Sequence, residues 1–249
     1  DGESMGAIVE TWRGSSAILR WLFGAPLMFL RMILTKKPRE HVKKIMMRHS
    51  AKALETCRIS VEVEGSPPQF GTSCVVCFNE TSLADALALS AVILPHVDRA
   101  AAADIFAWIP FARLACRKVG IELVPRRNRA GTDLLLAKMV DAVKSGERLA
   151  WGGEGRLSGQ DGVLRFKVGA SLIAIRSGAP LIPVALYGGH QTFPLGSMRA
   201  RPGTICVRFG TGISTDGLLE SDARDLADRA QAVVVKMYDE LRAGCVENT

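Results

Sequence analysis

Residues 75–89, V-V-C-F-N-E-T-S-L-A-D-A-L-A-L, decide the fold of this chain. Residues 72–78 form a nearly continuous apolar run of strand length, which is typical of a central strand covered on both faces. Residues 83–94 are apolar nearly all round, which predicts a buried helix closed by Pro95. Between them lies a polar turn flanked by two carboxylates, Glu80 and Asp85.

Strand-like and helix-like segments alternate on both sides of this turn. Further strands are predicted at residues 59–64, 121–125, 148–151, 181–187 and 204–209. Further helices are predicted at residues 39–57, 100–119, 131–145, 168–177 and 221–243. The alternation predicts an α/β fold with a mainly parallel or mixed central sheet flanked by helices. The two familiar nucleotide-phosphate loops, G-x-G-x-x-G and G-x-x-x-x-G-K-[ST], do not occur in the sequence.

Length and composition favour one large domain with an N-terminal extension. The 249 residues are 48% hydrophobic, enough to bury a full core. We expect a helical region at 1–57 and an α/β domain at 58–249. The net charge of +7 indicates an anionic partner, for which phospholipid head groups, nucleic acid and carrier proteins with acidic surfaces all qualify. Because no aromatic-basic RNA motif or recognition-helix pattern accompanies the charge, we expect no nucleic-acid binding.

The six cysteines do not form a recognisable framework. They are scattered, without a second C-x-x-C or a nearby histidine pair, at positions 57, 74, 77, 116, 206 and 245. This spacing favours reduced, buried thiols over a zinc site or disulfides. We therefore expect no metal site.

Residues 15–34 are the most hydrophobic part of the chain. Arg20 and Arg31 leave ten uncharged residues between them, against the ~20 that cross a bilayer. Gly24 and Pro26 are expected to break this segment into two short helices that lie in a membrane interface. A basic run follows, Lys36, Lys37, Arg39, Lys43 and Lys44, which would meet anionic head groups. The alternative is a broken helix packed on the protein's own core.

Residues 79–85, N-E-T-S-L-A-D, resemble the N-H-T-S-x-x-D block of the glycerolipid acyltransferase family, which includes the 1-acylglycerol-3-phosphate acyltransferases. Further blocks follow in the family's order: I-E-L-V-P-R at 121–126, G-E-G-R-L-S at 153–158, F-K-V-G at 166–169 and A-P-L-I-P-V at 179–184. The resemblance covers roughly residues 60 to 213. The order of the blocks makes the resemblance specific, although each block alone is weak evidence.

The resemblance implies transfer of a fatty acyl group from a coenzyme A or acyl-carrier-protein thioester to the hydroxyl of a lysophospholipid. Glu80 stands where the family has its catalytic histidine, and Asp85 would support it. The implied substrate contacts are Asn79, Ser82, Arg126, Glu154, Gly155 and Arg156. The family implies no bound cofactor or metal. It also implies a peripheral or monotopic protein on the cytoplasmic face of a membrane, in phospholipid biosynthesis.

Glu80 leaves three interpretations open. An ordinary glutamate is a weaker base than histidine by about two pKa units, or roughly 3 kcal/mol in proton affinity. Burial, or the nearby Asp85, would raise the pKa of the carboxyl. The chain is therefore an inactivated enzyme that still binds its substrates, an enzyme with a carboxylate base, or a non-catalytic lipid- or acyl-carrier-binding protein that uses the same groove.

Other residues have structural alternatives as well. Ser82 and Asp85 fit a helix-capping box, which would need no catalytic role. Glu154 would anchor its loop rather than bind an acceptor hydroxyl, and the arginines at 126, 127, 129 and 156 would form a solvated basic loop rather than a phosphate site. Gly152 and Gly153 replace the family's Phe-Pro and are expected to loosen that turn. His190 is the residual candidate for a substitute base.

Overall fold

The computed structural model describes residues 2–69, 71–125 and 128–247. The strands are β1 (Ile59–Glu64), β2 (Cys74–Phe78), β3 (Arg99–Ala103), β4 (Ile121–Val124), β5 (Arg148–Gly152), β6 (Leu181–Tyr187) and β7 (Gly203–Phe209). The helices are α1 (Gly2–Leu34), α2 (Arg39–Thr56), α3 (Leu83–Val92), α4 (Ala112–Lys118), α5 (Arg129–Lys144), α6 (Gly169–Ser177), α7 (Gly189–Thr192) and α8 (Ala223–Glu247).

The described strands form one mixed sheet in the order β1-β7-β6-β2-β5-β3-β4. Every neighbouring pair is parallel except β6 and β7, which are antiparallel. The predicted fold class is therefore confirmed. β2 lies between β5 and β6, and all five of its residues are buried, as expected of a central strand.

Helices cover both faces of the sheet. On one face, Val75 and Cys77 of β2 pack with apolar residues of α5, α6 and α8. On the other face, Val76 and Phe78 pack with α3, and a neighbouring cluster joins α1, α2 and α4. The alternating side chains of β2 thus contribute to both cores.

The sequence predicts one interrupted helix at 100–119, and this prediction is wrong for the first part of the segment. Residues Arg99–Ala103 form β3, which pairs with β4 and β5. A 3₁₀ turn (Asp104–Trp108) and α4 follow. Alanine favours helix in isolation, but the run R-A-A-A-A continues a sheet whose neighbours supply its backbone hydrogen bonds. Tertiary context therefore overrides local propensity here.

The predicted break at Gly24 and Pro26 is also wrong, because α1 is one continuous helix of 33 residues with Pro26 inside it. The absence of a side chain at Gly24 lets the His49 ring of α2 approach, since a β-carbon there would lie 2.8 Å from His49 Cε1. Ala25 and Met32 are fully buried against α2 and α4. This packing offsets the hydrogen bond that proline removes.

Length and composition would allow α1 to cross a bilayer. Its apolar part, Met5–Leu34, spans 30 residues and contains an 18-residue window with a mean hydropathy of 1.6, of which 28% is buried within the protein. This is the helix that the sequence predicted to meet a membrane.

Candidate active site

The register of the sheet brings two distant turns together. Phe78, the last residue of β2, pairs with Gly152, the last residue of β5. The two strands are parallel, so their carboxyl ends lie at the same edge, and Glu80 and Glu154 each follow two residues later. The Gly153 N–H donates to the Phe78 carbonyl oxygen at 2.8 Å, which ties the turns to each other.

Two further backbone hydrogen bonds extend this connection. The Ser158 N–H donates to the Glu80 carbonyl oxygen at 2.8 Å, and the Gly159 N–H donates to the Thr81 carbonyl oxygen at 3.0 Å. The loop after β5 therefore runs alongside the turn after β2. The two acidic blocks found in the sequence therefore lie side by side.

Asn79 holds the first turn to β6. Its Nδ2 donates to the Leu186 carbonyl oxygen at 3.0 Å, and the Leu186 N–H donates to Asn79 Oδ1 at 2.8 Å. The side chain is fully buried. The structure thus gives Asn79 a supporting position behind the turn, and its predicted contact with substrate remains a prediction.

Ser82 and Asp85 form the capping box that the sequence offered as an alternative. Ser82 Oγ accepts from the Asp85 N–H at 3.3 Å, and Asp85 Oδ2 accepts from the backbone N–H groups of Thr81 and Ser82 at 2.8 and 3.1 Å. The Thr81 hydroxyl donates to the same Oδ2 at 2.6 Å. Asp85 therefore stabilises the start of α3 and orders the backbone next to Glu80.

The other carboxyl oxygen of Asp85, Oδ1, differs from Oδ2 in its hydrogen bonding. Among the described residues, no group donates a hydrogen bond to Asp85 Oδ1, although the residue is fully buried. Burial raises the pKa of Asp85, while the hydrogen bonds from Thr81 and Ser82 and the charge of His190 act in the opposite direction. A supporting role for Asp85 beside Glu80 remains a prediction, carried by this unpaired acceptor.

The backbone of Gly189 in α7 lies directly against Asp85. A β-carbon at Gly189 would come within 1.9 Å of Asp85 Oδ1. We expect Gly189→Ala to lower the free energy of unfolding by about 3 kcal/mol, because the buried carboxylate must move and break its cap. Urea unfolding measures this change.

Gly6→Ala is the matched control for Gly189→Ala. Gly6 is also helical, and no atom lies within 4 Å of the position of its missing β-carbon. Alanine should be tolerated or slightly stabilising there. Equal stability of the two variants would show that Gly189 does not position Asp85.

Glu80 lies where the polar turn meets an apolar cavity. The cavity has a volume of about 720 Å³, and Glu80 is half-buried in its wall. Oε2 of Glu80 lies 3.2 Å from the position of a β-carbon on Gly152, so the glycine provides the space that this carboxylate occupies. Gly155 and Arg156 line the same cavity.

Glu154 is a second acidic group behind Glu80. Its side chain is 3% exposed. Among the described residues, no donor meets the usual distance and angle for a hydrogen bond to either of its carboxyl oxygens. Burial raises the pKa of Glu154 to about 8, and the negative charges of Glu80 and Asp85 add to this rise. The backbone N–H groups of Leu164 and Glu80 partly oppose it. Glu154 is therefore mostly protonated at neutral pH.

The turn at Gly152 and Gly153 has contacts on both sides, and the expectation that two glycines loosen it remains a prediction. Besides the Gly153 bond to β2, the Lys167 N–H donates to the Gly153 carbonyl oxygen at 2.7 Å. The Phe166 ring fills the space beside Gly153, where a β-carbon would lie 2.7 Å from it. Proline could not donate the bond that Gly153 makes.

Sequence reasoning did not assign a role to Lys167. This exposed residue lines the cavity, and its Nζ lies 3.2 Å from the position of a β-carbon on Gly155. Gly155 has a φ of +69°, which favours glycine. The F-K-V-G block was the signal that could have identified Lys167, because it places a cation beside the glutamate loop.

The remaining predicted residues are distributed as follows. Arg156 is exposed at the cavity, whereas Arg126 and Arg127 lie outside the described residues. Arg129 is exposed at the start of α5. His190 lies beside Asp85 on α7 and is not among the described residues that line the cavity, so its position gives no support to a substitute base.

The cavity combines a polar end with an apolar wall. Its polar end contains Glu80, Arg156 and Lys167, and its wall continues into apolar residues of α1, α2, α3 and β3. A cavity of this size falls in the range of ~300–1,000 Å³ that is usual for small ligands. Among the described residues, no group of three His, Cys, Asp or Glu side chains is arranged to hold a metal ion.

Comparison with known proteins agrees with this geometry. The Acyltransferase family model matches residues 58–187. The 1-acyl-sn-glycerol-3-phosphate acyltransferase alpha of sheep (Ovis aries) is 25% identical over 187 residues, which are 74% of this chain and 64% of that protein. The 1-acyl-sn-glycerol-3-phosphate acyltransferase of Salmonella typhimurium is 30% identical over 135 residues, 54% of each protein. The matches thus span less than two thirds of these relatives.

A solved structure shares the whole fold. The crystal structure of the 1-acyl-sn-glycerophosphate acyltransferase from Thermotoga maritima superposes with a TM-score of 0.76, covering 96% of this chain and 98% of that one at 22% identity. The family match, the ordered sequence blocks and the placement of the two acidic turns at one sheet edge together show that this chain belongs to the glycerolipid acyltransferase family, which includes the 1-acylglycerol-3-phosphate acyltransferases.

Proposed function

We propose that this chain transfers a fatty acyl group from a coenzyme A or acyl-carrier-protein thioester to the free hydroxyl of a lysophospholipid such as 1-acylglycerol 3-phosphate. The observation that carries the proposal is the position of the Glu80 carboxylate at the junction of a polar turn and an apolar cavity. A reacting hydroxyl and a lipid chain meet at such a junction. The names of the sheep and Salmonella relatives support the same reaction.

Glu80 acts as the base in this proposal. It takes the proton of the acceptor hydroxyl, and the oxygen attacks the thioester carbonyl to form a tetrahedral intermediate. The intermediate collapses to the ester, the carbon–sulfur bond breaks, and protonated Glu80 returns the proton to the leaving thiolate. Asp85 keeps the backbone beside Glu80 in place through the cap on α3.

Glu154 and two basic residues complete the polar end. Glu154 is mostly protonated at neutral pH, so it adds little negative charge behind Glu80. Arg156 and Lys167 face the cavity and bind the acceptor phosphate through charge-assisted hydrogen bonds. Arg126, outside the described residues, remains a predicted contact of the same phosphate.

The apolar part of the cavity takes the acyl chain. Ser90 lies in its wall on α3, seven residues after Leu83, which also lines the cavity; that spacing corresponds to about 10 Å along the helix. We expect Ser90→Leu to shift chain preference towards shorter acyl donors, because a larger side chain shortens the available space. Rates with donors of graded length measure the shift, and an unchanged profile would place the chain elsewhere.

We also propose that α1 lies in the interface of a membrane rather than crossing it. One side of α1 is buried against α2 and α4, and large apolar residues on its other side are exposed, among them Phe23 and Leu27. A helix fixed along the domain in this way would be parallel to the bilayer surface. The substrates then reach the cavity from the cytoplasmic leaflet.

Product analysis tests the proposed reaction. The purified chain is incubated with acyl-CoA or acyl carrier protein and 1-acylglycerol 3-phosphate, and phosphatidic acid is measured by mass spectrometry. Enzyme-dependent product supports the proposal. Binding of both substrates without product would instead identify a non-catalytic lipid- or acyl-carrier-binding protein.

A further inference from the structure

An exposed apolar surface lies on the segment that precedes and forms α4. Trp108 is 66% exposed, Phe111 47% and Leu114 58%. We call these three side chains the Trp108 patch. None of them contributes to the polar end of the cavity, so the reaction described above does not account for their exposure.

The two sides of α4 have different environments. Ala112, Ala115 and Cys116 face inward and are buried, and Cys116 lines the acyl cavity. Arg113 and Arg117 are exposed together with Leu114. A short helix with apolar and arginine side chains on its outer side suits the boundary between lipid head groups and acyl chains, where arginines extend to the phosphates.

The backbone at Phe111 adds a second observation. Its φ is +68°, a conformation that is uncommon for non-glycine residues and unfavourable for a bulky side chain. An exposed aromatic residue in this conformation gains no core packing to offset the strain. Strained positions of this kind concentrate at functional sites.

The patch is fixed to α1. Met28, Phe29 and Met32 of α1 share a core with α4, and the Lys118 ammonium donates to the Ile33 carbonyl oxygen at 2.7 Å. Two large apolar residues near this end of α1, Leu27 and Leu34, are each 69% exposed. Exposed Lys36 and Lys37 follow directly. The Trp108 patch therefore continues the apolar and basic surface of α1.

We infer that the Trp108 patch is a second membrane-contacting element, which enters an anionic phospholipid surface beside α1 and next to the wall of the acyl cavity. The inference rests on the proposed membrane association of α1. The charge of the neighbouring arginines and lysines favours anionic lipid over a neutral surface. A lipid surface also suits three large apolar side chains that lie beside exposed arginines.

Vesicle binding tests the inference independently of catalysis. Flotation with vesicles containing phosphatidylcholine and phosphatidylglycerol in equal amounts measures the affinity of the whole chain. We expect Trp108→Ser with Leu114→Ser to weaken binding by about tenfold, since two large apolar side chains no longer leave water. Leu219→Ser is the matched control, because Leu219 is 68% exposed beside α6 and α8 on the opposite face.

Phe111→Asn separates membrane binding from folding. Asparagine tolerates the left-handed backbone, so this variant should keep or raise the unfolding temperature while it binds vesicles more weakly. When vesicles are added, the tryptophan fluorescence of the wild type should shift to shorter wavelength. Trp108→Phe should lose the part of this shift that comes from Trp108.

Three outcomes would overturn the inference. If the wild type binds no vesicles, both the membrane association and the patch proposal are wrong. The proposed reaction is still tested separately, by the acyl-transfer assay with detergent-dispersed substrates. If the wild type and the patch variants bind equally, only the patch proposal is wrong. If the patch variants convert a dimer to a monomer and bind vesicles normally, the patch contacts a second copy of the chain.

Discussion

Glu80→Gln is expected to lower the rate of acyl transfer by about a hundredfold or more, because an amide cannot accept the proton of the acceptor hydroxyl. Glutamine has nearly the same shape, so it preserves the wall of the cavity and the binding of substrate. The loss should therefore appear in kcat rather than in KM. Steady-state kinetics with a thioester donor and a lysophospholipid acceptor measure it.

Glu80→His extends this test to the base that the family uses. Histidine has a pKa of about 6.5 against about 4.3 for glutamate, so it is the stronger base near neutral pH. Asp85 Oδ1 is a buried acceptor that no described group occupies, and we expect an imidazole N–H at position 80 to bond it. We therefore expect Glu80→His to exceed the wild-type rate, by about tenfold.

The pattern across the variants decides among the three interpretations of Glu80. A rate that falls in Glu80→Gln identifies a carboxylate base. Activity in Glu80→His alone would mean that the natural site is disabled, and substrate binding without turnover in all forms would mean a binding protein. Glu62→Gln removes an exposed carboxylate of β1 and controls for the change in net charge.

Glu154→Gln should remove most of a pH-dependent loss of stability. The folded-state pKa of about 8 lies above the ordinary 4.5, so between these values the folded protein binds more protons than the unfolded chain. Stability therefore falls as pH rises through this window, by an upper limit of about 5 kcal/mol. The amide is neutral throughout and does not contribute to the fall.

Urea unfolding at pH 5 and pH 9 measures this difference. Wild type should lose considerably more stability over the interval than Glu154→Gln. The pKa of Asp85 is also raised, so some loss should persist in the variant, in the same direction. Parallel curves for the two proteins would show that the Glu154 carboxyl ionises freely and is not held in its acid form by burial.

The sequence predicted the strand–turn–helix unit because its signals are local. A strand that is buried on both faces, such as β2, gives a continuous apolar run in the sequence. The capping residues Ser82 and Asp85 mark where α3 begins. The proximity of the Glu80 and Glu154 turns could not be derived in this way. It depends on the register between β2 and β5, which sequence spacing does not contain.

The two errors in secondary structure have the same cause. The alanine run of β3 and the Gly-Pro segment of α1 both adopt the state that their neighbours impose, the sheet in one case and α2 with α4 in the other. The contacts of the Gly152–Gly153 turn with the Phe166 ring and through two backbone hydrogen bonds were likewise outside the reach of local signals. Local propensity is a weak guide where long-range packing is strong.

The double hydrogen bond between Asn79 and Leu186 has a consequence for acceptor choice in the proposed reaction. It extends the hydrogen bonding of the sheet by one side chain beyond the end of β2, so the residue before Glu80 is fixed to β6. A rigid nucleophile-activating group cannot follow substrates of different size. In the proposed reaction, discrimination among alcohols then falls to the loop after β5, whose exposed Arg156 can be replaced without disturbing the proton-transfer geometry.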